Sequence, residues 1–397
     1  MQPLQGITVV ALEHAIAAPF ATRQLADLGA RVIKVERPGV GDFARGYDQR
    51  VRGLASHFVW VNRSKLSLTL DLKHPQAAAL LRRLIVEQAD VVVQNLVPGA
   101  AARLGVSYDA LKTRRPDLIV CDISGYGDDP AAPGPYRDKK AYDLLIQSES
   151  GFVSVTGSAD EPCKAGVSIA DIAAGMYAYS SVLAALLQRQ ATGLGRRIDI
   201  SMLEAMGEWM GYPMYYAFDG AAPPPRAGAA HATIFPYGPF TCGDGKTVML
   251  GLQNEREWQL FCDKVLLQPA LAQDPRFAGN AQRSANRDLL RELVMLVFAG
   301  LTARQVGQRL EDAQIANGEL KDVAGLWAHP QLAARQRWRH VATPAGDVPA
   351  LLPPGSWDDG DPQLGAVPAL GQHTQAILAG LGLDEAEIQT LRDAKAL

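Results

Sequence analysis

The chain has 397 residues, 48% of them apolar and 20% charged, with a formal net charge of −3. That length accommodates two domains, or one large domain with an insertion, and the composition is that of an ordinary globular protein. A charge so close to neutral leaves no basic excess, so no nucleic-acid partner is expected.

In chain order, the first half alternates strand and helix signals. Residues 7–12 (ITVVAL) form a short branched apolar run and read as a buried strand. Residues 19–28 read as a helix that stops before Gly29, and residues 31–36 (RVIKVE) as a second strand. Residues 74–87 are helical, with Ala78, Leu81 and Leu84 on one face. Residues 89–94 and 118–124 supply two more strands. A helix starts near Ala141, another covers 172–190, and 197–200 is a short strand. Strands that alternate with helices imply a parallel sheet with helices on both faces, a doubly wound, Rossmann-like α/β domain.

The pattern changes after about residue 220. Residues 221–230 (AAPPPRAGAA) read as a linker. Residues 240–250 read as a hairpin built on Asp244-Gly245, with helices at about 255–264 and 284–310. Residues 344–362 are again rich in Pro and Gly, and 374–379 with 384–394 form a helical tail. The expected division is a large domain of residues 1–220 plus 330–397 and a smaller α+β domain of residues 225–325.

Several chemistries find no support. Cys121, Cys163, Cys242 and Cys262 lie far apart without a Cys-x-x-Cys pair, so neither a zinc site nor a disulfide framework is expected. No histidine pair has metal-ligand spacing on a helix, and no metal is expected. Gly39-Val40-Gly41-Asp42-Phe43-Ala44 formally matches a dinucleotide fingerprint. It follows the second strand rather than the first and does not run on into an apolar helix, so it is set aside. No run of about 18 apolar residues suggests a membrane span, and the opening residues lack a leader pattern. A cytoplasmic protein is expected.

Two features point to chemistry. Asp171 is a single carboxylate in Val167-Ser168-Ile169-Ala170-Asp171-Ile172-Ala173-Ala174-Gly175-Met176, at the mouth of a long apolar helix. A poorly hydrated carboxylate there, kept ionised by the helix dipole, is a candidate nucleophile toward an activated acyl group. Asp is also among the best helix N-caps, and both roles can coincide. Separately, Arg37, Arg63, Lys65, Lys73, Arg103 and Lys140 recur near strand ends, where a doubly wound sheet binds ligands. Each alone reads as solvated surface. Together they suit a polyphosphate such as coenzyme A.

At this point the chain resembles the class III coenzyme A transferases. The resemblance runs through Gly29-Ala30-Arg31-Val32-Ile33-Lys34-Val35-Glu36-Arg37-Pro38, Asn62-Arg63-Ser64-Lys65, Leu70-Asp71-Leu72-Lys73, Asn95-Leu96-Val97-Pro98-Gly99, Lys140-Ala141-Tyr142-Asp143, the Asp171 segment and Tyr237-Gly238-Pro239-Phe240. It implies that Asp171 is the nucleophile. It also implies that His14, Ala15, Arg37, Leu70, Lys73, Asn95, Leu96, Arg103, Lys140 and Tyr142 line the coenzyme A site. A coenzyme A thioester is then a substrate rather than a tightly bound cofactor, its partner in the reaction is a small carboxylic acid, and two chains form an interlocked homodimer.

Some positions depart from the family pattern. Ile16 stands where formyl-CoA transferases carry a glutamine, which disfavours oxalate. The wording around residues 12–23 and 56–63 looks most like mesaconyl-CoA and itaconate CoA transferases. The expected reaction moves coenzyme A from an acyl-CoA, succinyl-CoA first, to a four- or five-carbon dicarboxylate such as itaconate, mesaconate or malate. Alternatives are intramolecular transfer between two carboxylates of mesaconyl-CoA and racemase-like epimerisation of an α-methylacyl-CoA. Tyr142 stands where a racemase carries its histidine, which leaves the acid–base pair for epimerisation incomplete. Arg45, Arg52 and Arg226 are candidates to hold the acceptor carboxylate. Gly228-Ala229-Ala230-His231 is the candidate oxyanion loop.

Overall fold

The computed structural model describes residues 2–355, 357, 362 and 364–397. The chain divides into two compact units. One comprises Met1–Phe152, Ala165–Gly211 and Leu332–Leu397; the other comprises Val153–Lys164 and Tyr212–Gln331. The segment Val153–Lys164, which the sequence places in the large domain, thus clusters with the smaller unit. Within that unit Arg226 donates to the carbonyls of Ser158 and Ala159, which ties the segment to residues 221–230.

The larger unit is built on six strands: β1 Thr8–Leu12, β2 Arg31–Glu36, β3 Lys65–Thr69, β4 Val91–Gln94, β5 Ile119–Ser124 and β6 Arg197–Ser201. All pair in parallel, in the order β3-β2-β1-β4-β5-β6. This is the doubly wound order, with its switch point between β1 and β4. Alternation explains the two layers. Val9, Ala11, Val32, Val91, Val93, Ile119 and Cys121 pack into one core, while Val10, Leu12, Ile33, Val35, Val92 and Val120 pack into the other. Buried on both faces, these strands read as continuous apolar runs.

Helices α1 Ala17–Asp27, α2 Ser56–Asn62, α3 Pro75–Gln88, α4 Asp143–Glu149 and α5 Ile169–Thr192 follow in chain order. One face of the sheet carries α1 and α5; the other carries α3 with the C-terminal helices Thr374–Ala379 and Glu385–Asp393. By length and composition α5, with mean hydropathy 1.4, could cross a membrane, contrary to the expectation that no such run exists. Here it is a core helix, burying Ala170, Ala173, Ala174 and Ala178 against α1 and the sheet. Gly175 sets its approach to α1, since a Cβ there would stand 2.7 Å from the Ala17 carbonyl oxygen.

Strand β3 was not foreseen, and neither was the hairpin of β10 (Trp338–Val341) with β11 (Val348–Leu351), whose second strand lies in the Pro- and Gly-rich stretch 344–362. Of that stretch, Ser356 and 358–361 lie outside the described residues. The smaller unit holds the antiparallel sheet β7 Tyr237–Thr241, β8 Thr247–Gly251 and β9 Ala316–Glu319. Residues 242–246 close the β7–β8 hairpin, with Cys242 N–H on the Lys246 carbonyl at 2.8 Å. The single helix expected over 284–310 is three helices, Asn280–Ala285, Arg287–Phe298 and Ala303–Asp312; a capping box of Thr302 and Gln305 starts the last.

Candidate active site

The first turn after β1 lies at the switch point. Asn95, just past β4, grips it from both sides: its Oδ1 accepts the His14 N–H and its Nδ2 donates to the His14 carbonyl, each at 2.9 Å. Ala15 is held in the left-handed region at φ 61°. Its N–H goes to Asp42 Oδ1 at 3.1 Å.

Beneath this turn lies a buried set of four charges. Lys34 Nζ donates to Asp42 Oδ2 at 2.8 Å and to Glu13 Oε1 at 3.3 Å, and Lys65 Nζ donates to Glu13 Oε1 at 2.7 Å. Thr22 donates to the second Glu13 oxygen at 2.6 Å. Two acids and two lysines balance, which is what makes such burial tolerable. Burial opposes the charge on Glu13, yet Lys34 and Lys65 hold its carboxyl down to about 2. Burial brings Lys65 down to about 7 against the pull of Glu13. Lys65 therefore belongs to the interior, not to a phosphate site. Arg63 does too: it forks onto Asp27 with distances of 3.0 and 2.7 Å.

A cleft of about 440 Å³ opens above the turn, lined by His14, Arg37, Phe43, Leu70, Lys73, Leu96 and their neighbours. Five residues proposed from sequence thus meet in one cavity: His14, Arg37, Leu70, Lys73 and Leu96. Ala15 and Asn95 support it through the turn. Arg103, Lys140 and Tyr142 are exposed and do not line it. Val40, Gly41 and Phe43, from the segment set aside as a false fingerprint, form part of its wall. That segment makes a 3-10 turn, Phe43–Gly46, capped by Asp42 through the Ala44 N–H at 2.9 Å. Gly41, at φ 68°, leaves no room for a Cβ, which would sit 2.9 Å from Glu36 Oε1.

An aromatic series leads away from the cleft. His14 stacks on Phe43 at 5.4 Å, Phe43 meets Tyr47 at 5.8 Å, and Tyr47 meets the edge of His57 at 5.5 Å. Burial lowers the His14 pKa, and its buried Nδ1 has no partner among the described residues. Burial, with the nearby charges of Asp42 and Asp171 and the Tyr142 phenol, pushes the Tyr47 phenol up to about 12, so it stays neutral.

Asp171 is not the helix cap. The cap position is Ser168, and the first-turn N–H groups of Ala170 and Asp171 point to Asp143 Oδ1 at 2.8 and 3.3 Å. The positive end of α5 is thereby spent on Asp143 rather than on Asp171. Burial, reinforced by the negative charge of Asp143, pushes the Asp171 carboxyl up to about 7. The expectation that the dipole keeps it readily ionised is corrected accordingly. The outcome is a more basic carboxylate, hence a stronger nucleophile once ionised.

The sequence matches the family described as CoA-transferase family III over residues 4–374. The chain belongs to CoA-transferase family III. It is therefore an enzyme that transfers coenzyme A. A succinate–glutarate CoA-transferase of Agrobacterium fabrum is 36% identical over 342 residues, covering 84% of each chain. A succinyl-CoA:mesaconate CoA-transferase of Haloarcula hispanica is 31% identical over 394 residues, covering 96% of this chain and 98% of that one. The crystal structure of a CAIB/BAIF family protein from Brucella suis superposes with a TM-score of 0.82 at 34% identity, covering 96% of this chain and 99% of that one.

Within this CoA-transferase fold two of the candidate acceptor-binding cations have other work. Arg45 forks onto Glu36 at 2.8 Å by two nitrogens and lies over the Phe58 ring, and Arg226 holds carbonyls of residues 158 and 159. Phe43 of the cleft wall, with Asp42 and Tyr47 beside it, was not among the sequence candidates. Their signal was the glycine-bracketed segment after β2, set aside because it follows the second strand and does not run on into an apolar helix.

Proposed function

We propose that this enzyme moves coenzyme A from succinyl-CoA to a four- or five-carbon dicarboxylate through covalent intermediates on Asp171. The observation that carries the reading is the raised pKa of Asp171, a carboxyl crowded by Asp143 and low in hydration at the mouth of α5. Asp171 attacks the thioester carbonyl; the carbon–sulfur bond breaks and CoA thiolate leaves, giving an aspartyl–acyl anhydride. The thiolate attacks the aspartyl carbonyl and releases the donor carboxylate, leaving an aspartyl–CoA thioester. The acceptor carboxylate attacks this thioester, the thiolate departs again, and its attack on the acceptor's acyl carbon gives the new acyl-CoA and free Asp171. Each step trades one acyl bond for another, so no oxidant or metal is consumed.

His14, Ala15, Arg37, Leu70, Lys73, Asn95 and Leu96 form the coenzyme A site in this reading, with Arg37 and Lys73 facing the phosphates. Arg103, Lys140 and Tyr142 close its margin. The acceptor is met by Arg52, the exposed one of the three candidate cations that is left once Arg45 and Arg226 are committed elsewhere. The succinyl donor and the dicarboxylate acceptor rest on the names of the two relatives above. The functional unit is an interlocked dimer, which is supported by the exposed run Tyr212, Met214, Tyr215, Tyr216 and Phe218.

Asp171→Asn tests the reading. It should bind acyl-CoA yet lose transfer by about three or more powers of ten. Hydroxylamine added to wild-type enzyme with succinyl-CoA should modify Asp171 alone. Retention of most activity by Asp171→Asn would remove the nucleophile from the scheme. A panel of glutarate, mesaconate, itaconate, malate and oxalate as acceptors decides the substrate, and a preference for oxalate would overturn the four- or five-carbon range.

A further inference from the structure

The Asp42 carboxylate bridges two turns of the chain. Its Oδ1 accepts the N–H of left-handed Ala15, in the turn that carries His14, and also the N–H of Ala44, in the turn that carries Phe43. Its Oδ2 accepts Lys34 Nζ. His14 and Phe43 stack on each other and both line the cleft. Asp42 itself is fully buried and does not line it.

We propose that Asp42 is a positioning residue for the thioester: one carboxylate sets the His14 and Phe43 walls of the cleft against each other. The inference rests on reading this cleft as the coenzyme A site. Lys34 is the second part of the device. It fixes which Asp42 oxygen faces the two N–H groups, because the other oxygen is committed to the ammonium. Glu13 and Lys65 complete the charge balance from below, and Glu36 joins from β2 by accepting the Asp42 N–H at 3.1 Å. Left-handed backbone at a non-glycine residue is costly and persists only where its surroundings over-determine it. Here Asn95 and Asp42 do so from two directions.

The chemistry dictates the test. An asparagine at position 42 has one acceptor oxygen. It satisfies either the two N–H groups or Lys34, but not both, and it leaves a net buried positive charge. Removing the Lys34 charge as well restores the balance, because Glu13 and Lys65 still pair. The informative comparison is therefore between two charge-balanced enzymes, Lys34→Met with Asp42→Asn and Lys34→Met with Asp42→Ala. The first keeps an acceptor for Ala15 and Ala44; the second has none.

The alanine pair is expected to show a KM for succinyl-CoA about tenfold or more above that of the asparagine pair, with kcat within about threefold and the KM for the acceptor acid unchanged. The Kd for free coenzyme A should move in step with the thioester KM. A merely structural residue would lower the melting temperature without this split. Equal thioester KM values in the two enzymes would overturn the proposal, as would failure of the asparagine pair to fold, since charge balance would then not be what supports the turn. Wild-type transfer on the same thioester is measured alongside. Its absence would count against the coenzyme A reading, whereas the ratio between the paired variants reports on Asp42 alone.

Discussion

If Asp171 titrates near 7 in the folded chain and near 3.8 once unfolded, ionising it destabilises the fold. The folded state binds the proton more tightly, so stability is highest below the unfolded pKa. It falls as pH rises between the two values and levels off above about 7. A difference of roughly three pKa units sets a ceiling of about 4 kcal/mol. Between about pH 5 and about pH 8 the two-pKa expression leaves about 2.6 kcal/mol. Solvent at the partly exposed carboxyl reduces this to about 2 kcal/mol. Asp171→Asn removes the titration while keeping the side chain's size. The variant should therefore gain about 2 kcal/mol relative to wild type between about pH 5 and about pH 8. The assay is urea unfolding of both proteins at both pH values, taken as a double difference so that every other titration cancels. A double difference near zero would mean that Asp171 is hydrated like a surface carboxylate, and the argument for an activated nucleophile would go with it.

The same carboxyl should govern the rate. The thioester kcat/KM is expected to rise with pH up to about 7 and then level, and Asp143→Asn should move that midpoint downward because a negative neighbour is lost. A midpoint unmoved by Asp143→Asn would exclude the electrostatic coupling. Gly175→Ala puts a Cβ 2.7 Å from the Ala17 carbonyl oxygen, so it should cost about 1–3 kcal/mol and lower kcat by tilting α5, which is checked by thermal unfolding and turnover. Arg37→Ala and Lys73→Ala should each raise the thioester KM more than the acceptor KM; equal rises would argue against phosphate contacts. Sedimentation at working concentration should show a dimer, and an active monomer would refute the interlocked assembly.

Much of the scaffold is legible in the sequence because its signal is local. Buried parallel strands are continuous apolar runs, and residues 31–36 were bounded correctly from their own composition. Strand β3 escaped because one of its two faces is polar: Lys65 and Ser67 are buried, facing Glu13 and Glu36 from neighbouring segments, while Leu66 and Leu68 face the core on the other side. Nothing within KLSLT announces those partners. The start of α5 was placed at 172 rather than 169 for the same reason. Its cap acceptor is Asp143, 27 residues upstream of Ala170 and on another helix.

The two aspartates that shape the site illustrate why sequence logic stops where it does. Asp143 and Asp42 are each a carboxylate turned onto backbone N–H groups of a segment distant in the chain, Asp143 on α5 and Asp42 on the first turn. Neither was singled out for such a role from the sequence, and Asp42 also caps its own turn. The local role conceals the distant one. Burial, with the negative charge of Asp143 added to it, is what keeps Asp171 basic. The basicity of this carboxylate thus depends in part on a residue outside its motif. The sequence could name Asp171 as a carboxylate in an apolar setting, but how far burial raises its pKa, and how much Asp143 adds, depend on where the folded chain brings the two carboxylates.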